Sequence, residues 1–545
     1  MSPVFADGKE HPASPDKTIF DYADDLQVRV PTACGRNGEC HECVVEIKKG
    51  LESLNKLSEE ENFLRGNYRL ACQAVVKDLS ADVEFSTLRR QPKILTSGIK
   101  REITLDSIVT TSNGRVFIDG TDVDKYQGHI LGLAGDIGTT TVVLSIIDLK
   151  NGDVIATSSF ENPQRFGGSD VMNRISYDGG PNNGELKKVL LASINYEIGE
   201  MLKDHKIHRR RIYDAVFVGN TTMRDILFGI DVQTVGEKPY KSIIQSEFEA
   251  GYRKSTSISA KAKEFGLRIF PQALIYSGPL IGSHVGADVA ADLLAIRADK
   301  TEDAIMLVDI GTNTEVIIGT KDKMIAASCP AGPAFEGGEI TYGMPGYEGA
   351  VESVKIKDGV LQIETIGNSD VQGICGSGLI DLLAELRKSN LMSELGVYLD
   401  GSNKYSFSEK EDMALYRSDI SALAQAKSAN YCGQYLALRH FGTPVDKITK
   451  LYLAGGFANY INSSNARDIG FIANFPSEKI EKVGNASLEG AILMLKSVAM
   501  RTEIEKLVLQ IEHLELETVP DFFEVFVEGC MFNPMPVDLT SINSK

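Results

Sequence analysis

The sequence predicts an α+β chain of several domains, organised around two similar α/β halves that face one cleft. Three observations carry this. Asp136-Ile137-Gly138-Thr139-Thr140-Thr141 runs into the apolar stretch Val142-Val143-Leu144. Asp309-Ile310-Gly311-Thr312-Asn313-Thr314 lies between Ile305-Met306-Leu307-Val308 and Val316-Ile317-Ile318, so the same strand–turn–strand pattern occurs twice, 173 positions apart. At 545 residues the chain exceeds what one core supports, and four of its eight cysteines fall in the first 72 residues, which sets apart a small N-terminal domain.

The paired turns suit a nucleotide. Glycine lets the backbone approach an anion, and successive N–H groups with threonine hydroxyls cradle phosphates. A strand-end Asp holds Mg²⁺ through its waters. Neither copy is a Walker loop, because no lysine follows the glycine at the required place. The bland alternative is two unrelated turns, and the double occurrence between apolar strands weighs against it.

Composition narrows the classes. Hydrophobic content of 43% and charged content of 24% are those of a globular protein. No apolar run reaches about 18 residues, so no membrane span is expected. The net charge of −18 argues against nucleic acid as the main partner. Met1-Ser2-Pro3-Val4-Phe5 lacks the basic and apolar regions of an export signal, which predicts a cytoplasmic protein whose clustered cysteines bind metal rather than form disulfides.

Those cysteines read Cys34-x5-Cys40-x2-Cys43, with Cys72 in Tyr68-Arg69-Leu70-Ala71-Cys72-Gln73. Three thiolates on one loop and a fourth from a distant turn can wrap two irons, and Gly35 and Gly38 allow the loop to be irregular. The competing reading is a Cys₄ zinc site, which usually pairs one C-x2-C with another, whereas Cys72 stands alone. Over residues 1–88 the pattern resembles the [2Fe–2S] ferredoxins, with a first gap one residue longer than the plant type. The resemblance implies a β-grasp domain with Cys34, Cys40, Cys43 and Cys72 as ligands.

Residues 89–130 read as a linker or small sub-domain, with basic Arg89-Arg90-Gln91-Pro92-Lys93 and turns at Ser112-Asn113-Gly114 and Asp119-Gly120-Thr121. It could tether a moving cluster domain. The first half is expected over 131–275 and the second over 276–545 with a C-terminal extension. In the first, Asn162-Pro163-Gln164-Arg165-Phe166-Gly167-Gly168 is a loop, and Asp170 either caps the following helix or serves the cleft. A helix is expected over 186–203, and a strand over 213–218 runs into Gly219-Asn220-Thr221-Thr222-Met223.

Asp288 precedes a small-residue helix over 289–295, suited to close backbone crossing, and either aims a carboxylate at the cleft or caps that helix. His284 reads as structural. Gly373-Ile374-Cys375-Gly376-Ser377-Gly378 opens a helix whose N-terminus can hold phosphate. Leu451–Ala458 is a strand ending in Gly455-Gly456, against which a base or ribose can lie, and Gly490-Ala491 begins a second close-packed helix. Cys329, Cys375, Cys432 and Cys530 share no spacing and read as buried thiols. The acidic stretch 512–521 reads as surface.

In order, the two D-x-G-T turns, the two small-residue helices and the L-A-G-G strand resemble the acetate and sugar kinase/Hsp70/actin superfamily over residues 131–500. That implies two ribonuclease-H-like halves around an ATP cleft. N-P-Q…D-V-M-N-R-I, G-N-T-T-M, G-P-A-F-E-G-G and G-I-C-G-S-G-L-I-D extend the resemblance, over nearly the whole chain, to the reductive activators of corrinoid proteins. This implies ATP-dependent, one-electron reduction of Co(II) to Co(I) from a [2Fe–2S] cluster. The partners would be a corrinoid protein of a methyltransferase system and a low-potential electron donor, with a second copy of the chain as a candidate.

On this reading Asp136 and Asp309 bind Mg²⁺ and Asp288 orients the attacking water. Gly138, Gly311 and Asn313 shape the turns, and Thr139, Thr140, Thr312 and Thr314 contact phosphates. Gly376, Ser377, Gly378, Gly455 and Gly456 line the nucleoside side. Two other classes stay open: a small-molecule kinase under redox control, and an electron carrier whose nucleotide domain only binds.

Overall fold

The computed structural model describes residues 2–88, 98–408, 412–456, 458–537 and 539. The basic stretch Arg89–Lys93 and Phe457 of the L-A-G-G strand lie outside them.

The N-terminal domain is a five-stranded sheet in the order Lys9–Pro12, Pro3–Ala6, Val83–Thr87, Val44–Lys49, Tyr68–Leu70. Pro3–Ala6 and Val83–Thr87 pair in parallel, and their neighbours run antiparallel. Helix Ile19–Asp25 packs on the sheet through Ile19, Phe20, Tyr22 and Ala23. Its start is set by a capping box, in which Thr18 accepts from the Asp21 amide and Asp21 returns a carboxylate to the Thr18 amide. One helix clasped by a mixed sheet is the β-grasp arrangement.

Val109–Ser112, Arg115–Ile118 and Thr121–Lys125 form a separate three-stranded antiparallel sheet. This sheet falls within the stretch 89–130. Val109, Val116 and Ile118 bury their side chains in the core shared by the two halves. The chain just ahead is also fastened, since the Ile99 amide donates to the Val483 carbonyl at 3.1 Å and Arg101 forks onto Asp299.

Each half carries one six-stranded sheet. The first runs Val154–Glu161, Thr141–Asp148, Leu131–Ile137, Ile212–Val218, Leu274–Ser277, Ile258–Lys261. The second runs Lys323–Cys329, Thr314–Thr320, Ile305–Ile310, Lys450–Ala454, Ile480–Gly484, with Ile511–His513 added beyond Lys323–Cys329. In both, the first three strands are an antiparallel meander and the fourth pairs in parallel with the first. Each Asp-Ile-Gly-Thr turn is the hairpin between the first two strands in chain order, so the repeated motif sits at equivalent places.

Helices Ala287–Ala295 and Ala486–Lys496 cross between the sheets. A Cβ on Gly490 would lie 2.2 Å from the Ala291 carbonyl oxygen, so only glycine permits this approach. The expected helices begin slightly earlier than their patterns suggested, at Glu185, Ala287 and Gly376. Among the described residues no helix is long and apolar enough to cross a membrane.

The cluster domain is docked on the first half. Phe63, Leu64, Phe166, Val171 and Tyr177 share one buried core, and Tyr177 donates its hydroxyl to the Phe63 carbonyl at 2.6 Å. Ion pairs Arg29–Glu200, His41–Glu185 and Arg268–Glu42 surround this contact.

Candidate functional site

Two sites emerge. At the first, the loop from Cys34 to Cys43 is bent by left-handed backbone at Gly35, Arg36, Gly38 and His41. Gly38 has φ of 90°, and a Cβ there would press on Glu60 at 3.0 Å. This irregularity leaves amides free to serve sulfur: Ala33 and Glu42 donate to Cys40 Sγ. Cys43 Sγ lies 3.3 Å from Cys72 Sγ. Desolvation opposes ionisation of Cys34, but hydrogen bonds from the Cys40 amide and thiol and from the Asn37 and Gly38 amides draw it down to about 6. The Cys43 thiol, the Gln73 side chain and the Gly38 amide draw Cys72 down to about 7 against its burial.

Among the described residues no three His, Cys, Asp or Glu groups are arranged to hold one metal ion. The thiols stand instead as two pairs, Cys34 with Cys40 and Cys43 with Cys72. Two pairs of thiolates, with loop amides to bear their charge, suit two bridged irons, each taking two protein ligands. The donor set therefore fits a [2Fe–2S] cluster.

The second site is the cleft between the halves. Asp136 ends strand Leu131–Ile137 and Asp309 ends strand Ile305–Ile310, while Asp288 stands in the first turn of helix Ala287–Ala295. All three line one cavity with Gly138, Thr139, Thr140, Gly311, Thr312, Asn313, Gly376, Ser377, Gly455 and Gly456. Thr314 and Gly378 do not line it. Thr314 starts a strand and is buried. Gly378 lies inside helix Gly376–Lys388, where a Cβ would meet the Val351 carbonyl at 2.2 Å, so its role is packing. Asp170 caps helix Val171–Asp178 by accepting from the Asn173 amide and is not among the cavity residues. Cys530 is half-buried, unlike Cys329, Cys375 and Cys432.

Each of the three carboxyls opens to the cleft and is enclosed by protein elsewhere. Burial raises Asp136 to about 7, opposed by a hydrogen bond from Asn485 and reinforced by Asp309. Burial raises Asp309 to about 6. Asp288 is pushed well above the usual range by burial and by its two neighbours. Asp136 and Asp309 offer hard oxygen donors at the two strand ends, and Mg²⁺ keeps several of its waters, so the pair fits a hydrated Mg²⁺ without three carboxyls closing on one ion.

Several residues here escaped the sequence reading. Asn485 caps helix Ala486–Lys496 and donates Nδ2 to Asp136 Oδ2 at 2.8 Å. Asn220 caps helix Thr221–Phe228 and donates to Thr139 Oγ1 at 3.1 Å. Glu336, in Gly332-Pro333-Ala334-Phe335-Glu336-Gly337, accepts from both Thr140 and Thr312. The two asparagines carry a sequence signal, each capping a helix just after a strand, Asn485 directly and Asn220 one glycine on; Glu336 has only its place in a glycine- and proline-marked loop. Gly455 has φ of 102°, and a Cβ would sit 2.2 Å from the Ile310 carbonyl oxygen and 3.0 Å from Asp309 Oδ1. It brings one strand end flush against the other phosphate turn.

Comparison with known proteins agrees with this geometry. Residues 4–77 match the 2Fe-2S iron-sulfur cluster binding domain, 131–301 the RACo middle region, and 303–542 the C-terminal domain of RACo, the ASKHA domain. A solved structure described as a reductive activator for corrinoid, iron-sulfur protein superposes with a TM-score of 0.72 at 27% identity, covering 99% of this chain and 100% of that one. A methylated amine-specific corrinoid protein reductase of Methanosarcina barkeri is 21% identical, over 72% of this chain and 75% of its own. The corrinoid activation enzyme RamQ of Eubacterium limosum is 30% identical over 77% of this chain and 73% of its own. With that identity over that span, and with cluster loop and paired phosphate turns in one chain, the protein belongs to the family of reductive activators of corrinoid proteins.

Proposed function

We propose that this protein reduces the Co(II) form of a corrinoid protein to Co(I) by one electron, driven by ATP hydrolysis, and so restores a methyltransferase system. The single observation that carries the reading is the joining, in one chain, of a four-thiol loop and a cleft with three convergent carboxylates between paired phosphate turns. When bound, a [2Fe–2S] cluster supplies a single electron at low potential. Cys34, Cys40, Cys43 and Cys72 would hold it, and a low-potential donor outside this chain would replenish it.

In the cleft, Asp136 and Asp309 would bind Mg²⁺ directly or through water, with Asn485 fixing the orientation of Asp136. Asp288 would orient the attacking water and, in its ionised form, accept its proton. Thr139, Thr140 and Thr312 would donate to phosphate, with Thr139 aimed by Asn220. Gly376, Ser377, Gly455 and Gly456 would line the nucleoside side. The four thiols outside the cluster site, Cys329, Cys375, Cys432 and Cys530, are free and suit a reducing compartment, in keeping with the cytoplasm.

The test mixes chemically reduced protein with a Co(II) corrinoid protein and follows the Co(I) absorption. Co(I) should accumulate with Mg-ATP and fail to accumulate with a non-hydrolysable analogue. Equal yields with and without ATP would reject the coupling.

A further inference from the structure

The phosphate turn of the first half and the cluster loop are joined by one short turn. Asn162 is fully buried, and its Nδ2 donates to the Gly138 carbonyl at 2.8 Å. Its amide donates to the Thr140 carbonyl at 2.7 Å, so Asn162 grips both sides of the turn. The same residue begins the single helical turn Pro163–Gly167, where its Oδ1 accepts from the Gln164 amide. Four residues on, Phe166 leaves that turn toward the cluster domain. Phe63 meets the Phe166 ring edge-on, centroids 5.5 Å apart and planes at 86°. Phe63 also stacks on His41, at 4.0 Å and 12°.

His41 stands between Cys40 and Cys43. It has left-handed backbone with φ of 58°, so its side chain and the direction of the loop are set together. Its Nδ1 lies 2.6 Å from Glu185 and 3.2 Å from Lys188 Nζ, at the start of helix Glu185–Lys203. The Gln164 side chain donates to the Leu186 carbonyl, which ties the short turn to that same helix. Tyr177 closes the cluster from behind, edge-on to Phe166 at 5.6 Å and bonded to the Phe63 carbonyl.

We infer that the turn Asn162–Phe166 couples the nucleotide cleft to the cluster loop, so that nucleotide affinity and cluster redox state depend on one another. The inference rests on nucleotide binding at the Gly138 turn. Ligand-induced movement at Gly138 or Thr140 is carried through two hydrogen bonds into a rigid turn with Pro163 at its first position, and from there through three packed rings to the residue between two cluster ligands. Close-packed rings pass a displacement on instead of absorbing it. A change at one end that favours one loop arrangement must, by linkage, alter binding at the other end by the same factor.

The test titrates the holoprotein, oxidised and then dithionite-reduced, with Mg²⁺ and a non-hydrolysable ATP analogue. The two redox forms should differ about tenfold in affinity, which for one electron equals a nucleotide-induced shift of about 59 mV in the cluster potential. Both quantities are read independently, by calorimetry and by spectroelectrochemistry. Phe166→Leu should bring the affinity ratio to within twofold with the cluster retained. Glu185→Ala, a partly exposed change that removes the Glu185 partner of His41, should reduce it as well and covers the case of a poorly folded Phe166→Leu. Equal affinities in the two redox states of the unaltered protein overturn the inference, as does a ratio unchanged in both variants. Failure of the analogue to bind either redox form would instead remove the nucleotide site itself.

Discussion

The hydroxyls of Thr140 and Thr312 lie 3.1 Å apart although 172 positions separate them in the chain. Both donate to one oxygen of Glu336, at 2.7 and 2.6 Å. One acceptor thus holds the two phosphate turns together across the cleft. On the proposed reading a terminal phosphate would take the same donors, and hydrogen bonds to an ionised acceptor contribute about 1.5–3 kcal/mol each. Phosphate and Glu336 therefore compete. Glu336→Ala should bind a non-hydrolysable Mg-ATP analogue about tenfold more tightly, or about 1.4 kcal/mol, in a calorimetric titration. Weaker binding by the variant would mean that Glu336 supports the nucleotide.

Glu336 also marks where the sequence stops being legible. The repeated Asp-Ile-Gly-Thr turns, the cysteine spacing and the small-residue helices are local patterns, and they point to the two half-sheets, the cysteine loop and the close-packed helices, although the second of these starts at Ala486 and carries Gly490 inside it. Thr314 continues the motif and so reads as a phosphate ligand, but it opens strand Thr314–Thr320 with its side chain buried. Gly378 belonged to a glycine-rich run, yet the helix begins at Gly376 and makes Gly378 a packing contact. The grips of Asn162 on Gly138 and of Asn485 on Asp136 span 24 and 349 positions, and no local pattern encodes a contact at that range.

The cluster prediction follows from the pairing of thiols. Cys40→Ala removes one partner of Cys34 and leaves an iron with an incomplete shell. Anaerobically prepared wild type should contain about two irons and two sulfides per chain, as a Cys₄ [2Fe–2S] site requires. The variant should lose both, together with the visible absorbance. ATP hydrolysis should persist, since the three carboxylates are in other domains. Stoichiometric zinc in the wild type, without colour, would end this assignment.

The carboxylates divide by role. If Asp309 binds Mg²⁺ as proposed, Asp309→Ala should abolish Mg²⁺-dependent turnover while reduced cluster still forms. Asp288→Asn keeps the helix and the cavity shape but cannot accept a proton. It should bind Mg-ATP with near wild-type affinity and hydrolyse it about 10²–10⁴-fold more slowly, the usual contribution of a general base. Single-turnover kinetics at saturating nucleotide separates the two effects. Full hydrolysis by Asp288→Asn would return that residue to a purely structural place, holding the Val289 amide at 2.8 Å.

Gly490 tests whether the helix crossing sets the cleft. Its missing side chain lets helix Ala486–Lys496 lie against helix Ala287–Ala295, with the hypothetical Cβ 2.2 Å from the Ala291 oxygen and 2.5 Å from its carbon. Both atoms are backbone, so no side-chain rotation relieves the clash and the helices must separate. Overpacking of this kind costs about 1–3 kcal/mol, which for a unit of this size lowers Tm by roughly 2–12 °C. Asn485 and Asp288 stand at the N-terminal ends of these two helices, and Asn485 reaches Asp136 in the opposite half. Gly490→Ala should therefore weaken Mg-nucleotide binding at a temperature where the variant remains folded, with calorimetry and circular dichroism read on the same sample. A variant that loses stability but binds nucleotide as well as wild type would show that the crossing supports the fold without setting the spacing of the cleft.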